Sequence, residues 1–77
     1  MLYAWQTELQ PTLQVAVTLL ARTDPPTLAQ VRADRSTLHE GRRLLANQPQ
    51  GTEAEEALLQ QTDTLLGAAY QALGDQW

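Results

Sequence analysis

The side chains best suited to binding chemistry form a basic face in the middle of the chain. Four of the five arginines lie between residues 24 and 51. Steps of three and four residues along a helix bring side chains to one face, so these groups would project together. Guanidinium groups in such an arrangement bind phosphate or carboxylate oxygens, often two at a time. The predicted polar face consists of Arg32, Arg35, His39, Arg42 and Arg43.

Two interpretations of this polar face stay open. The face could hold a nucleic-acid backbone, a phosphate or an acidic partner surface, or it could pair with acidic residues of the same chain. The chain carries 5 basic against 9 acidic residues, a net charge of −4, and no aromatic residue lies among the arginines. Nucleic-acid binders have a stronger basic surface, so binding of nucleic acid or phosphate is the alternative function and not the leading one.

Acidic residues cluster near the start of the last predicted helix. Glu53, Glu55, Glu56 and Asp63 could suggest a divalent-cation site. Helical pyrophosphohydrolases hold magnesium between acidic clusters on facing helices, but the earlier segments of this chain offer only scattered carboxylates. Negative charge in a first helical turn also stabilises the helix dipole, and this is the preferred explanation. We predict no metal site and no cofactor.

The sequence offers few residues that could form a catalytic site. There is no Cys and one His, which removes thiol nucleophiles and multi-histidine metal centres. His39 and Glu40 are adjacent, so on a helix their side chains would point about 100° apart. No glycine-rich phosphate loop is present. We predict that the protein is not an enzyme and has no small-molecule ligand.

The elements that position these residues are predicted to be three helices, covering about residues 2–22, 26–46 and 52–74. Leu and Ala dominate the apolar residues, and both favour helix. Pro11 should kink the first helix, or divide it by opening a second one. The unbroken apolar stripe favours a single kinked helix. That stripe comprises Leu2, Trp5, Leu9, Leu13, Ala16 and Leu20.

Capping signals predict where the later helices begin. The second helix could start at Asp24 with Pro25 in its first turn, or at Thr27 with Gln30 completing a capping box. Its apolar stripe is thin and consists of Leu28, Val31, Leu38 and Leu45. Thr52 and Glu55 match a second capping box at the start of the third helix.

The predicted fold class is all-α, with residues 1–77 forming one domain. Short turns make consecutive helices antiparallel, which gives an up-down-up three-helix bundle. A helical hairpin whose third helix completes an oligomeric bundle is the other possibility. The helix, proline-rich turn and helix around residues 23–27 resemble the hairpins of type III secretion needle subunits and their small helical chaperones. No diagnostic motif of those proteins is matched, and no residue role is carried over.

The leading hypothesis is a protein–protein interaction module, such as an adaptor, chaperone or assembly subunit. A single core in a chain of this size gives limited stability, and the apolar faces look too wide for one such core. We therefore predict self-association or pairing with a helical partner. The amino terminus lacks the basic region of a secretory signal, which predicts a cytoplasmic protein without membrane contact. Whether Trp77 is docked or exposed stays open. The predicted interface comprises Leu58, Leu59, Leu65, Leu66, Tyr70 and Leu73.

Overall fold

The computed structural model describes residues 3–74, and all its regular elements are helices. The helices are α1 (Ala4–Glu8), α2 (Gln10–Ala21), α3 (Leu28–Ala46) and α4 (Glu53–Gln71). The all-α class predicted from composition and periodicity is therefore confirmed. Leu2, which was assigned to the first stripe, and Trp77, whose docked or exposed state was left open, lie outside the described residues.

The first predicted helix is divided at Leu9. Pro11 lies in the first turn of α2, where its missing N–H removes no intrahelical hydrogen bond. The favoured single kinked helix is thus replaced by the alternative, a short helix followed by one that Pro11 opens. Leu9 keeps a right-handed helical backbone conformation (φ −84°, ψ −6°), and its carbonyl oxygen accepts from the Leu13 amide at 2.9 Å.

Both later helices begin at threonine caps. The Thr27 hydroxyl accepts from the Gln30 amide N–H at 3.2 Å, and the Gln30 side chain accepts from Thr27 N–H at 2.9 Å. This capping box decides between the two predicted starts of α3. The Thr52 hydroxyl caps α4 in the same way, at 3.2 Å from the Glu55 amide nitrogen.

The carboxylate of Glu55 does not complete the box predicted for α4. It accepts a hydrogen bond from the indole Nε1 of Trp5 at 3.0 Å, which ties α1 to the start of α4. Glu56 instead reaches back and accepts from the Gly51 amide at 3.0 Å. The capping prediction was therefore right for the threonine and wrong for its glutamate partner.

The three long helices pack against one another in the up-down-up order. Each of α2, α3 and α4 contacts the other two. Thr12 lies beside Thr37, with 3.4 Å between its hydroxyl and the Thr37 carbonyl oxygen, whereas Arg22 pairs with Asp34 at 3.8 Å. Residue numbers therefore rise along α2 as they fall along α3, which makes these helices antiparallel. The hairpin alternative, with α4 pairing only with another chain, does not apply to this structure.

The core lies where small residues allow the helices to approach closely. Gly41 of α3 is buried against Thr12 of α2, and a methyl group at Gly41 would overlap the Thr12 side chain. Large apolar side chains close the core around this contact. The buried apolar residues are Trp5, Leu9, Ala16, Leu19, Leu38, Leu45, Leu66, Ala69 and Tyr70.

Two predicted core positions are wrong. Leu20 was placed in the inward stripe, but it is 47% exposed while its neighbour Leu19 is 6% exposed. The inner face of α2 is centred on Thr12 and Ala16, and Leu19 follows them at helical spacing. Leu28 was placed in the stripe of α3, but it is the first residue of that helix and is 65% exposed.

Candidate interaction surface

The predicted polar face lies along α3 and is engaged within the chain. Arg32 is exposed and Arg35 is half-buried. Arg43 forms an exposed ion pair with Glu40 one turn away, at 3.5 Å. Such exposed pairs contribute little to stability, typically below about 1 kcal/mol. Arg35 and Arg42 also take part in polar or electrostatic interactions within the fold. All five residues of the predicted polar face lie on α3, and its role in binding an external phosphate or partner stays a prediction.

His39 belongs to the contact between α3 and α4. Its Nε2 atom lies 2.7 Å from the hydroxyl oxygen of Tyr70, and the two rings meet edge to face with centroids 4.9 Å apart. Tyr70 is buried, so this hydrogen bond satisfies a polar group at the edge of the core. The role that the structure shows for His39 is therefore to position Tyr70.

Arg42 lines a groove of about 540 Å³ between α3 and α4, together with three carboxylate side chains. The apolar residues that line the same groove include Leu45 and Leu59. This arrangement matches the interpretation in which arginines of the second predicted helix meet acidic residues of the third. Across residues 3–74, no group of three His, Cys, Asp or Glu residues could hold a metal ion. The three carboxylates belong to Glu53, Glu56 and Asp63.

The apolar residues predicted to form an interface on α4 are used within the chain. Leu66 is fully buried and Tyr70 is 6% exposed, so both belong to the core. The other four are half-buried, and three of them pack against that core: Leu58, Leu59 and Leu73, but not Leu65. The width of the α4 apolar face is explained by its contacts with α2 and α3. Its role in binding another chain stays a prediction that a single chain does not test.

An apolar line along one flank of α2 is only partly covered by the rest of residues 3–74, although its Leu13 packs against the core. Leu13, Val17 and Leu20 follow one another at steps of four and three residues, so they lie along one side of the helix. Leu13 is half-buried, while Val17 is 59% exposed and Leu20 is 47% exposed. We call these three residues the α2 seam. It is lined on its outer side by Gln10, Gln14 and Thr18, which share a shallow groove with it.

The α2 seam lies on a helix without charge. None of the 12 residues of α2 is acidic or basic. Isolated exposed apolar residues are normal on a protein surface, but the core of an interface is depleted in charged residues. Three apolar residues in line, on a helix with no charge, therefore make this flank of α2 the candidate interaction surface. The seam lies about 100° around α2 from the buried side formed by Thr12, Ala16 and Leu19, where α3 and α4 pack.

Sequence reasoning identified the surplus apolar residues of α2 but not which of them are exposed. Leu20 was assigned to the inward stripe, and Val17 was not part of that stripe. Comparisons with known proteins add nothing to this assignment, because no family model, curated protein or solved structure matches the chain. Among residues 3–74, no helix combines the length and apolar character required to cross a bilayer.

Proposed function

We propose that this protein is a small helical interaction module that binds another polypeptide helix through the α2 seam. The observation that carries the proposal is the exposed apolar line of Val17 and Leu20 on an uncharged helix. Covering an apolar helix face with a second helix removes it from water, which is favourable by about 25 cal/mol per Å² of apolar surface buried. Residues spaced by three and four are the anchors of helix-in-groove recognition.

The rest of the chain supports a binding role for α2 by holding it in place. The inner side of α2 contacts both α3 and α4, and its amino-terminal end is continued by α1. The indole of Trp5 fixes α1 to Glu55, so α2 is held at its start as well as along its length. A helix held in this way loses little conformational freedom on binding, which favours affinity. We further propose that the module acts in the cytoplasm and performs no catalysis.

A photo-crosslinking experiment tests the proposal. A benzophenone amino acid is placed at Val17 and, as a control, at the exposed Ala54 of α4. We expect discrete adducts from position 17 in extracts of the producing cells, and loss of those adducts when Leu20→Glu is added. Circular dichroism checks that each variant keeps its helices. Equal, diffuse labelling from both positions would contradict the proposed function.

A further inference from the structure

We infer that the helix covering the α2 seam belongs to a second copy of this chain, packed seam against seam. The inference rests on the proposed function and names its partner. Three features of α2 support this inference. They are its lack of charge, its glutamine side chains that can pair with the same residues of a second copy, and the heptad-like spacing of its seam residues. Each favours a surface of its own kind over a charged foreign helix.

Charge is the first argument. The chain carries a net charge of −4, and residues 52–77 contain five acidic residues and no basic one. Two copies meeting through most of their surface would therefore bring like charges together. The α2 seam avoids this, because none of the residues of α2 is charged. A partner with a charged rim would find no opposite charge on α2, so its own charges would lose water without compensation.

The polar neighbours of the seam are the second argument. Gln10 and Gln14 are exposed and share the groove with Leu13 and Val17. Each amide carries both a donor and an acceptor, so a glutamine can pair with the same group in an identical chain. Carboxylates and guanidinium groups lack this property, since one only accepts and the other only donates. The rim of the seam is therefore complementary to itself.

The spacing is the third argument. Gln10, Leu13, Val17 and Leu20 are separated by three, four and three residues, which matches the a and d positions of a heptad. Valine at an a position with leucine at d favours two-stranded pairing, and a single polar residue at a fixes the register. Here Val17 and Gln10 occupy a positions, and both leucines occupy d positions. The pattern is thus that of a two-helix interface between like helices.

The length of α2 limits the expected affinity of the dimer. A helix of 12 residues is about 18 Å long, so the contact is smaller than the roughly 1,200–2,000 Å² of a stable interface. We therefore expect a reversible dimer that becomes appreciable only at about 0.1 mM and above. At lower concentration the 8.5 kDa chain is a monomer.

Sedimentation equilibrium over a wide concentration range tests this inference. We expect the mass to rise from that of one chain toward twice that value, and Val17→Glu to weaken the association at least tenfold. Ser36→Glu, on the exposed side of α3, adds the same charge away from the seam and should leave the association unchanged. Val17 is mostly exposed, so both variants should fold, and their circular dichroism spectra check this.

A second measurement tests the geometry directly. The chain has no cysteine, so Val17→Cys introduces a unique thiol. Under mild oxidation we expect disulfide-linked dimers to form at least tenfold faster than with Ser36→Cys at the same concentration. Equal rates, or a wild-type chain that stays a monomer throughout, would overturn the second-copy inference. If position 17 then crosslinks one different protein, the proposed function survives alone. If it crosslinks nothing, both fail.

Discussion

The two sides of α2 differ in how they are packed. The inner side consists of Thr12, Ala16 and Leu19, all buried, and it lies close enough to α3 for Thr12 to touch the Gly41 backbone region. The outer side presents Val17 and Leu20 to water. Both sides are apolar or neutral, so hydrophobicity alone does not distinguish them. The difference is that small residues on the inner side allow close packing, whereas the other described residues leave about half of the surface of Val17 and Leu20 exposed.

The comparison shows that one helix can serve two interfaces of different strength. The inner contacts belong to the cooperative fold, so removing them should unfold the protein. The outer contacts depend on a second molecule, so removing them should change association and leave folding intact. Three comparisons between variants separate these two classes of effect.

The largest expected effect comes from truncating Leu19, with truncation of its neighbour Leu20 as the comparison. Leu19→Ala should lower the free energy of unfolding by about 2–4 kcal/mol, because it leaves a cavity in the core. Leu20→Ala removes the same atoms from a position that is 47% exposed, and should cost less than about 1 kcal/mol. Urea denaturation at micromolar protein concentration measures both. Equal losses for the two variants would mean that the inner and outer sides of α2 have been assigned incorrectly.

An intermediate effect is expected where α2 and α3 meet. Gly41→Ala should destabilise the fold by about 1–2 kcal/mol, because overlap with Thr12 outweighs the better helix propensity of alanine. Thr12→Ala removes the two nearest atoms of that contact. In a double-mutant cycle the second substitution should therefore recover part of the loss. Strict additivity of the two changes would argue against the close approach.

The smallest effect is expected from a helix cap that lies on neither side of α2. Thr27→Ala removes the hydroxyl that caps α3 and should cost about 1 kcal/mol. Serine at the same position keeps the acceptor and is the matched control. Neither variant should alter the dimer measured by sedimentation equilibrium. A cap variant that dissociated the dimer would show that association follows stability and not the α2 seam.

Much of this fold was predictable from local sequence signals. Leu-rich and Ala-rich periodicity fixes the helices, and threonine caps fix the starts of α3 and α4, because these effects act within four residues. The break at Leu9 was foreseen only as an alternative, since an apolar stripe keeps its phase whether or not Pro11 divides the helix. What escaped prediction depends on distant residues, such as the bond from Trp5 to Glu55.

The candidate site was harder to predict for a related reason. Leu19 and Leu20 are adjacent and identical, and periodicity alone does not say which of two neighbouring apolar lines faces inward. The choice depends on how far α2 is rotated, and that is set by the contact of Thr12 with Gly41. The residues predicted to form an interface on α4 were correctly identified as apolar. The core of a single chain, however, buries more of the α4 apolar face than the sequence suggested.

The bond between Trp5 and Glu55 has a kinetic consequence. It joins residues 50 positions apart, whereas Thr12 and Thr37 are separated by 25. The entropy of closing the longer loop costs only about 0.6 kcal/mol more, but the Trp5 contact requires α4 to be in place first. We therefore expect α1 to dock last during folding and to open first in the native state. Backbone amides of α1 should then exchange with solvent before those of the long helices.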